Sequence, residues 1–441
     1  MGMKEKALIP HIGVGSLSSP LEVGADRAPQ AASDLARLLK EAGCEVTALG
    51  PIGTPDHAVK AGRKLAESHV HAVALASASW SEDYLALDLL EECCVPVLLW
   101  SLPGMETGAL CGSQQLACYL NQLEMSYACV FAPIGPGEPL DRAKAFLQAA
   151  ALKHRLRRAR IGLAGHRVAG MTDVAVNEIA LKKSIGPYVI PLDLPKLLAR
   201  AAEIPDDQAR PIWNDVVGRS GTCQVRDEEG LDSMKVYLAV KELVEQHGLG
   251  ALTIGCYPHL MGRVCLAASL LADEGVPLAC EGDVNGAVGQ LILTLLTQGP
   301  THNADWLEPL PDGTVVLTHC GSGSFALAEK REDIQLASVR LMGQGVCALF
   351  PAKPGPVTLI NLVPKGDGYQ CAVLEGEAIS TEMVFPGNPL RVRFPQPTGQ
   401  LIDWIHEEGI GHHWMAGYGR VLPELAHWAA IAGKSLCLIR P

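Results

Sequence analysis

The stretch "PLACEGDVNGAVGQLILTLLTQGPTHNADW", residues 277–306, decides how this chain is built. An apolar run ends at Cys280, and two carboxylates follow at Glu281 and Asp283. An apolar helical segment then runs from about 286 to 297 until Gly299-Pro300 stops it. A buried strand leading into a buried helix is the unit of a doubly wound parallel sheet. Ligands of such sheets gather at the carboxyl ends of the strands. Glu281 should emerge at such an end, where Gly282 and Gly286 permit close backbone approach. A helix of this length covers about 18 Å, and the roughly eight residues after it can return that far if extended. Glu281 can therefore share a site with Asp305, which sits in a His- and Asn-bearing turn. The same spacing also suits plain capping, with Glu281 starting the helix and Asp305 the next segment.

The same grammar extends outward on both sides. Towards the N-terminus, "KALIPHIGVG", "EVTALG", "AVALASAS", "VPVLLW" and "ACVFAP" read as short buried strands with amphipathic helices between them. The pattern restarts after the basic helix "PLDRAKAFLQAAALKHRLRRAR", with "RIGLAGH", "GALTIGCYP" and "VPLACEG" as strands. From about residue 310 it changes to short strands split by Gly/Pro turns, "GTVVLTHCG", "VCALFPA", "PVTLINLVP", "YQCAVLEGEAIS" and "PLRVRF". The expected fold is α/β, with two doubly wound parallel-sheet domains (1–155 and 156–308). A smaller C-terminal antiparallel β-barrel-like domain with terminal helices (309–441) follows.

Composition narrows the function. With 48% hydrophobic and 19% charged residues the 441-residue chain can bury large cores and is not disordered. A net charge of −12 gives no basic footprint for nucleic acid. No long uncharged apolar run suggests a membrane span. Of the fourteen cysteines none forms a C-x-x-C pair, and Cys256, Cys265, Cys280, Cys347 and Cys437 lie in apolar runs as buried thiols do. The expectation is a reduced, cytoplasmic protein. Nucleotide and serine-hydrolase motifs fail when written out. "GVGSLS" and "GPGEPL" lack the third Gly of a dinucleotide loop, "AGKS" at 432–435 has Trp428 where a P-loop needs Gly, and "HCGSGS" lacks the first Gly of a nucleophile elbow.

A second unusual element is "GIGHHWMAGYG", where His412 and His413 stand in a glycine-flanked turn. Two carboxylates and one imidazole with positions left open suit a hard divalent cation, Mn²⁺ or Mg²⁺, better than structural zinc.

With these residues in place, the chain resembles the L-fucose isomerase/L-arabinose isomerase superfamily, on the L-fucose isomerase side and over most of its length. Three segments carry the resemblance: "ACEGDVNGA…LTQGPTHNADW", "VVLTHCGSGSFAL" and "GHHWMAGYG…AAIAGKSLCLI". In the first, Glu281 and Asp305 stand twenty-four residues apart, as the family's metal-binding Glu and Asp do. The resemblance implies Glu281, Asp305 and His413 as ligands of Mn²⁺, Mg²⁺ or another divalent cation. Counting back from the last strand favours His413 over His412. It further implies Glu281 and Asp305 as the acid/base pair of an aldose–ketose isomerisation through an enediolate. Trp80, in "VALASASWSEDY", stands where the family carries a substrate-facing Trp, and Ser322 lies in the Ser-Gly-Ser turn beneath the site. His302 and His319 are candidates for substrate or outer contacts, although turn or sheet-end histidines account for them equally, and His412 is a further candidate substrate contact. Asp283 could replace Glu281 as ligand, but the family spacing disfavours it. Arg167 and Asp173, in "GHRVAGMTD", occupy a further strand-end loop. The family implies a homo-oligomer, a trimer or hexamer, with a small-molecule sugar substrate.

The chain departs from the family in being shorter, mostly at the C-terminal side, so several sugar-contacting aromatics lack counterparts. The substrate is thus left open among a pentose, a 6-deoxyhexose and a hexose altered at C6, including a sulfonated one. Two other functions fit the same domains: a non-catalytic sugar-binding or sensory protein, and a metal-dependent lyase or epimerase.

Overall fold

The computed structural model describes residues 7–441. The chain divides into two compact units, one of residues 8–155 with 423–433, the other chiefly of residues 156–422 with 434–441. Residues 156–308 and 309–422 therefore share one unit, and residues 423–433 join the N-terminal one.

The N-terminal unit holds β1 (His11–Leu17), β2 (Glu45–Ile52), β3 (Ala72–Ser77), β4 (Val97–Ser101) and β5 (Tyr127–Phe131), all parallel, in the order β2-β1-β3-β4-β5. Every residue of β3 and β4 is buried. That explains their continuous apolar sequence, since helices cover both faces of such a sheet.

The other unit begins with β6 (Arg160–Ala164), β7 (Tyr188–Leu192), β8 (Thr222–Cys223), β9 (Ala251–Ile254) and β10 (Leu278–Ala279). Four of them form a parallel sheet in the order β10-β9-β6-β7. Next come β11 (Thr301–Pro309), β12 (Thr314–Thr318), β13 (Gln335–Ala337), β14 (Cys347–Leu349), β15 (Gly355–Lys365), β16 (Gly368–Ile379), β17 (Leu390–Arg393), β18 (His413–Tyr418) and β19 (Leu436–Ile439). Antiparallel pairing runs β15-β18-β11-β12-β17-β16, and β16 pairs back onto β15, closing a ring of six strands. β19 lies parallel against β16 outside that ring, while β8, β13 and β14 make a separate small sheet. The fold is α/β with two parallel sheets followed by an antiparallel barrel.

Alternation along the barrel strands sorts residues inward and outward. Ala304, Val315, Leu317, Leu359, Ala372, Leu374, Val392, Trp414 and Ala416 pack as one apolar cluster, the barrel filling. Residues of the other parity face out. On that outer wall Met415 meets Gly286 and Gly289 of the helix Val284–Thr297, where a Cβ at either glycine would crowd the methionine.

Two sequence expectations change here. "THNADW" is a strand paired on both sides rather than a turn, and His413 opens a barrel strand instead of sitting within a turn. Of the cysteines read as buried, Cys437 is exposed because β19 lies on the outer edge; Cys256, Cys265, Cys280 and Cys347 are buried, and all fourteen are free thiols.

Candidate metal centre

Three adjacent barrel strands supply one side of the site. Asp305 of β11 stands directly opposite Thr318 of β12 and His413 of β18. Directly opposed residues of antiparallel strands project to the same face. Asp305 and His413 therefore emerge together on the outer wall, and His319 follows one residue beyond Thr318.

The parallel sheet supplies the other side. After β10 the chain turns sharply, with Glu281 (φ 65°) and Gly282 (φ 74°) both in the left-handed region. That conformation costs a non-glycine residue of the order of 1–3 kcal/mol and persists only where the surroundings enforce it. Here the Val168 N–H donates to the Glu281 carbonyl at 3.1 Å and the Gly282 N–H to that of Ile254 at 3.1 Å. A Cβ on Gly282 would come within 2.5 Å of the His166 carbonyl oxygen and 2.6 Å of the Arg167 Cα. Asp283, not Glu281, caps the following helix, its Oδ1 accepting the Gly286 N–H at 2.8 Å. Glu281 is thereby left free of capping duty.

The two sides converge on one imidazole. His413 Nε2 lies 3.0 Å from Glu281 Oε2 and 3.7 Å from Asp305 Oδ1, while its Nδ1 is 2.8 Å from Asp283 Oδ2. His319 Nε2 is 3.7 Å from Glu281 Oε2. The His413 and Asp283 side chains are each 2% exposed and that of Glu281 10%, but Asp305 is 35% exposed and forms the open edge. Burial alone would raise the Glu281 carboxyl, yet the neighbouring His319 and His413 imidazoles hold it well below the usual carboxylate range. Burial would likewise lower His413, but Asp283 and Glu281 push it up to about 10.

Three carboxylates around one buried imidazole make a strongly cation-seeking place. Ligand atoms of Glu281, His412 and His413, and of Asp305, His319 and His413, lie within 4.8 Å of one another in each group. Asp305 Oδ1 is buried and accepts no hydrogen bond, which is costly for a carboxylate oxygen unless a cation meets it. Oxygen and imidazole donors with one open edge fit a hard divalent ion.

The other candidates fall in different places. His412 is exposed; its Nδ1 is 2.5 Å from Asp173 Oδ2, the same oxygen accepts its backbone N–H at 3.2 Å, and its ring lies 4.1 Å from that of His413. Ser322 Oγ is 3.6 Å from the Sγ of Cys280, the residue before Glu281. Trp80 belongs to the N-terminal unit, just past β3, where its Nε1 donates to Gln115 Oε1 at 3.1 Å. His302, read from sequence as either a substrate contact or a sheet-end histidine, is buried. It lies three residues from Asp305 on the same strand, hence on the inward face, 2% exposed, with its ring centroid 6.3 Å from that of Tyr418. Burial pushes it down to about 4, so it is a neutral core histidine.

One contributor escaped sequence reading. Asn361 of β15 donates to the His413 carbonyl at 2.7 Å and the Gly411 carbonyl at 3.2 Å, and its Oδ1 accepts the Gly411 N–H at 3.2 Å. It clamps the histidine-bearing segment, and its only sequence mark is a lone amide within the apolar run "PVTLINLVP".

No protein-family model matches the chain. It is similar to curated proteins named sulfoquinovose isomerase. That from Alkalicoccus urumqiensis is 24% identical over 347 residues, covering 75% of this chain and 77% of the relative. That from Priestia megaterium (strain ATCC 12872 / QMB1551) is 24% identical over 370 residues, covering 79% and 81%. A third, from Clostridium sp. (strain MSTE9), is 24% identical over 346 residues, covering 75% and 77%.

Proposed function

We propose that the chain is a divalent-cation-dependent aldose–ketose isomerase whose substrate is sulfoquinovose or a closely similar aldohexose sulfonated at C6. The observation that carries this reading is the convergence of Glu281, Asp305 and His413 from a sheet end and a barrel wall onto one partly open point. Proteins named for that isomerisation match three quarters or more of the chain, which supports both the reaction and the sugar.

Glu281, Asp305 and His413 would hold the cation, with His319 beside them. When bound, it supplies Lewis-acid polarisation of the carbonyl and the adjacent hydroxyl. The residues do the rest. Conversion of an aldose to a ketose moves the C2 proton to C1 and the O2 hydroxyl proton to O1. A carboxylate beside the reacting carbons takes the C2 proton and returns it to C1. Glu281 is kept ionised by its histidine partners and Asp305 stands at the open edge, so the pair can serve both carbons.

The sulfonate end calls for a cation of the protein. Arg167 is the candidate in the strand-end loop strapped to Glu281 and Gly282. Its Nη1 donates to the Val168 carbonyl at 3.1 Å, and among the described residues it has no ion-pair partner. Arg167→Met should raise KM for the sulfonated sugar about tenfold or more and leave kcat nearly unchanged. Equal loss with an unsulfonated aldohexose would remove it from that role.

The test of the function is ketose formation from sulfoquinovose by the purified protein, with Mn²⁺ and with EDTA, against D-glucose and L-fucose. Conversion of the sulfonated sugar only in the presence of the cation is expected. Conversion unaffected by EDTA would refute the metal reading, and activity on L-fucose alone would refute the substrate.

A further inference from the structure

His413 is held on both ring nitrogens, and the two sides are unequal. Nε2 looks towards Glu281 at 3.0 Å and Asp305 at 3.7 Å, whereas Nδ1 has Asp283 at 2.8 Å. Asp283 is itself pinned. Its Oδ1 accepts the Gly286 N–H at 2.8 Å as the cap of the helix Val284–Thr297, while Oδ2 meets the imidazole, and the side chain is 2% exposed. A carboxylate anchored through one oxygen to a helix end cannot swing around the ring to the side where Glu281 and Asp305 converge. Nor can it meet a cation from where it stands, because the imidazole lies between.

A neutral imidazole carries its hydrogen on one nitrogen and its lone pair on the other. For Nε2 to face a cation with its lone pair, Nδ1 must hold the hydrogen, and Asp283 is placed to accept it. Carboxylate–histidine pairs of this kind orient metal-ligating rings and set their tautomer. We propose that Asp283 is a positioning residue rather than a ligand: it fixes His413 in the Nδ1–H tautomer and so aims Nε2 at the cation. This rests on the reading that the cluster holds a divalent cation. Because one carboxylate also caps the helix carrying the Glu281 turn, ring orientation and turn geometry are set by a single side chain.

Asp283→Asn separates the two jobs. The amide oxygen can still accept the Gly286 N–H, which leaves the NH₂ pointing at Nδ1, where it favours the hydrogen on Nε2 and blocks ligation. Mn²⁺ affinity of the full chain, measured by isothermal titration, should fall about 10–100-fold. The melting temperature in EDTA should stay close to wild type, a separation that a merely structural role would not produce. Asp283→Ser, which keeps a capping oxygen but cannot reach His413, should behave alike and serves if the Asn variant misfolds. Glu281→Gln and Asp305→Asn provide the scale for loss of a direct ligand. Unchanged Mn²⁺ affinity in both Asp283 variants would overturn the proposal, as would a loss equal to that of the ligand variants. If wild type binds no Mn²⁺, the cation reading itself fails, a result distinct from either.

Discussion

His302 and Asp305 stand three residues apart on one strand, and their surroundings could hardly differ more. Asp305 reaches the open edge of the cluster; His302 points into the barrel and is neutral there. Its folded pKa, about 4, lies below the ordinary histidine value of 6.5, so between these pH values the unfolded chain binds more protons and stability rises with pH. The contribution is complete above pH 6.5 and is lost as pH falls towards 4, by an order of about 3 kcal/mol. Urea unfolding of wild type and His302→Phe across pH 4–7 should show a shallower acid slope in the variant. Parallel slopes would mean that His302 is not buried neutral. Parity along "THNADW" would have separated these residues from sequence alone had the segment been read as a strand. Its polar outer face hid that, because a site written onto a strand breaks the apolar alternation by which strands are recognised.

The decisive element is the turn from β10 into the helix Val284–Thr297. Asp283 and Gly282 let it form: one caps the helix, and the other admits the backbone of residues 166 and 167 where a side chain could not fit. Gly282→Ala would set a Cβ against that backbone and force a left-handed alanine. It should destabilise the unit by at least about 2 kcal/mol and reduce activity along with Mn²⁺ affinity. Chemical denaturation and titration check both, and a stable, fully active variant would show that the loop yields. The strand, the helix and the carboxylates of this turn were legible in "CEGDVNG". The division of labour was not, since capping and ligation ask for the same residue types, and geometry gives the cap to Asp283 and leaves Glu281 facing His413.

Across the whole chain, Glu281 and His413 meet although 132 residues separate them. Strand and helix alternation revealed the two parallel sheets, and Gly/Pro punctuation revealed the barrel. Closure of β16 onto β15 and the return of residues 423–433 to the N-terminal unit depend on long-range packing that leaves no local trace. A ligand that ties these distant segments together should stabilise the unit bearing them. At a hundred times its Kd, Mn²⁺ should add about 2.7 kcal/mol. Thermal unfolding with Mn²⁺ and then EDTA should show the gain and its reversal, and His413→Gln should show neither. A gain retained by that variant would place the ion elsewhere. Among the described residues no helix is long and apolar enough to cross a membrane.

The central claim is that Glu281 and Asp305 move a proton between C1 and C2 of a sulfonated aldohexose beside a cation held with His413. Its most direct test is proton NMR of sulfoquinovose incubated in D₂O with Mn²⁺ and either wild-type protein or Glu281→Gln. Wild type should replace the C2 hydrogen by deuterium and accumulate ketose. The variant, folded as judged by circular dichroism, should exchange at least about a hundredfold more slowly. Exchange at the wild-type rate in Glu281→Gln, or ketose formed by wild type with no solvent deuterium at all under prolonged turnover, would contradict the account.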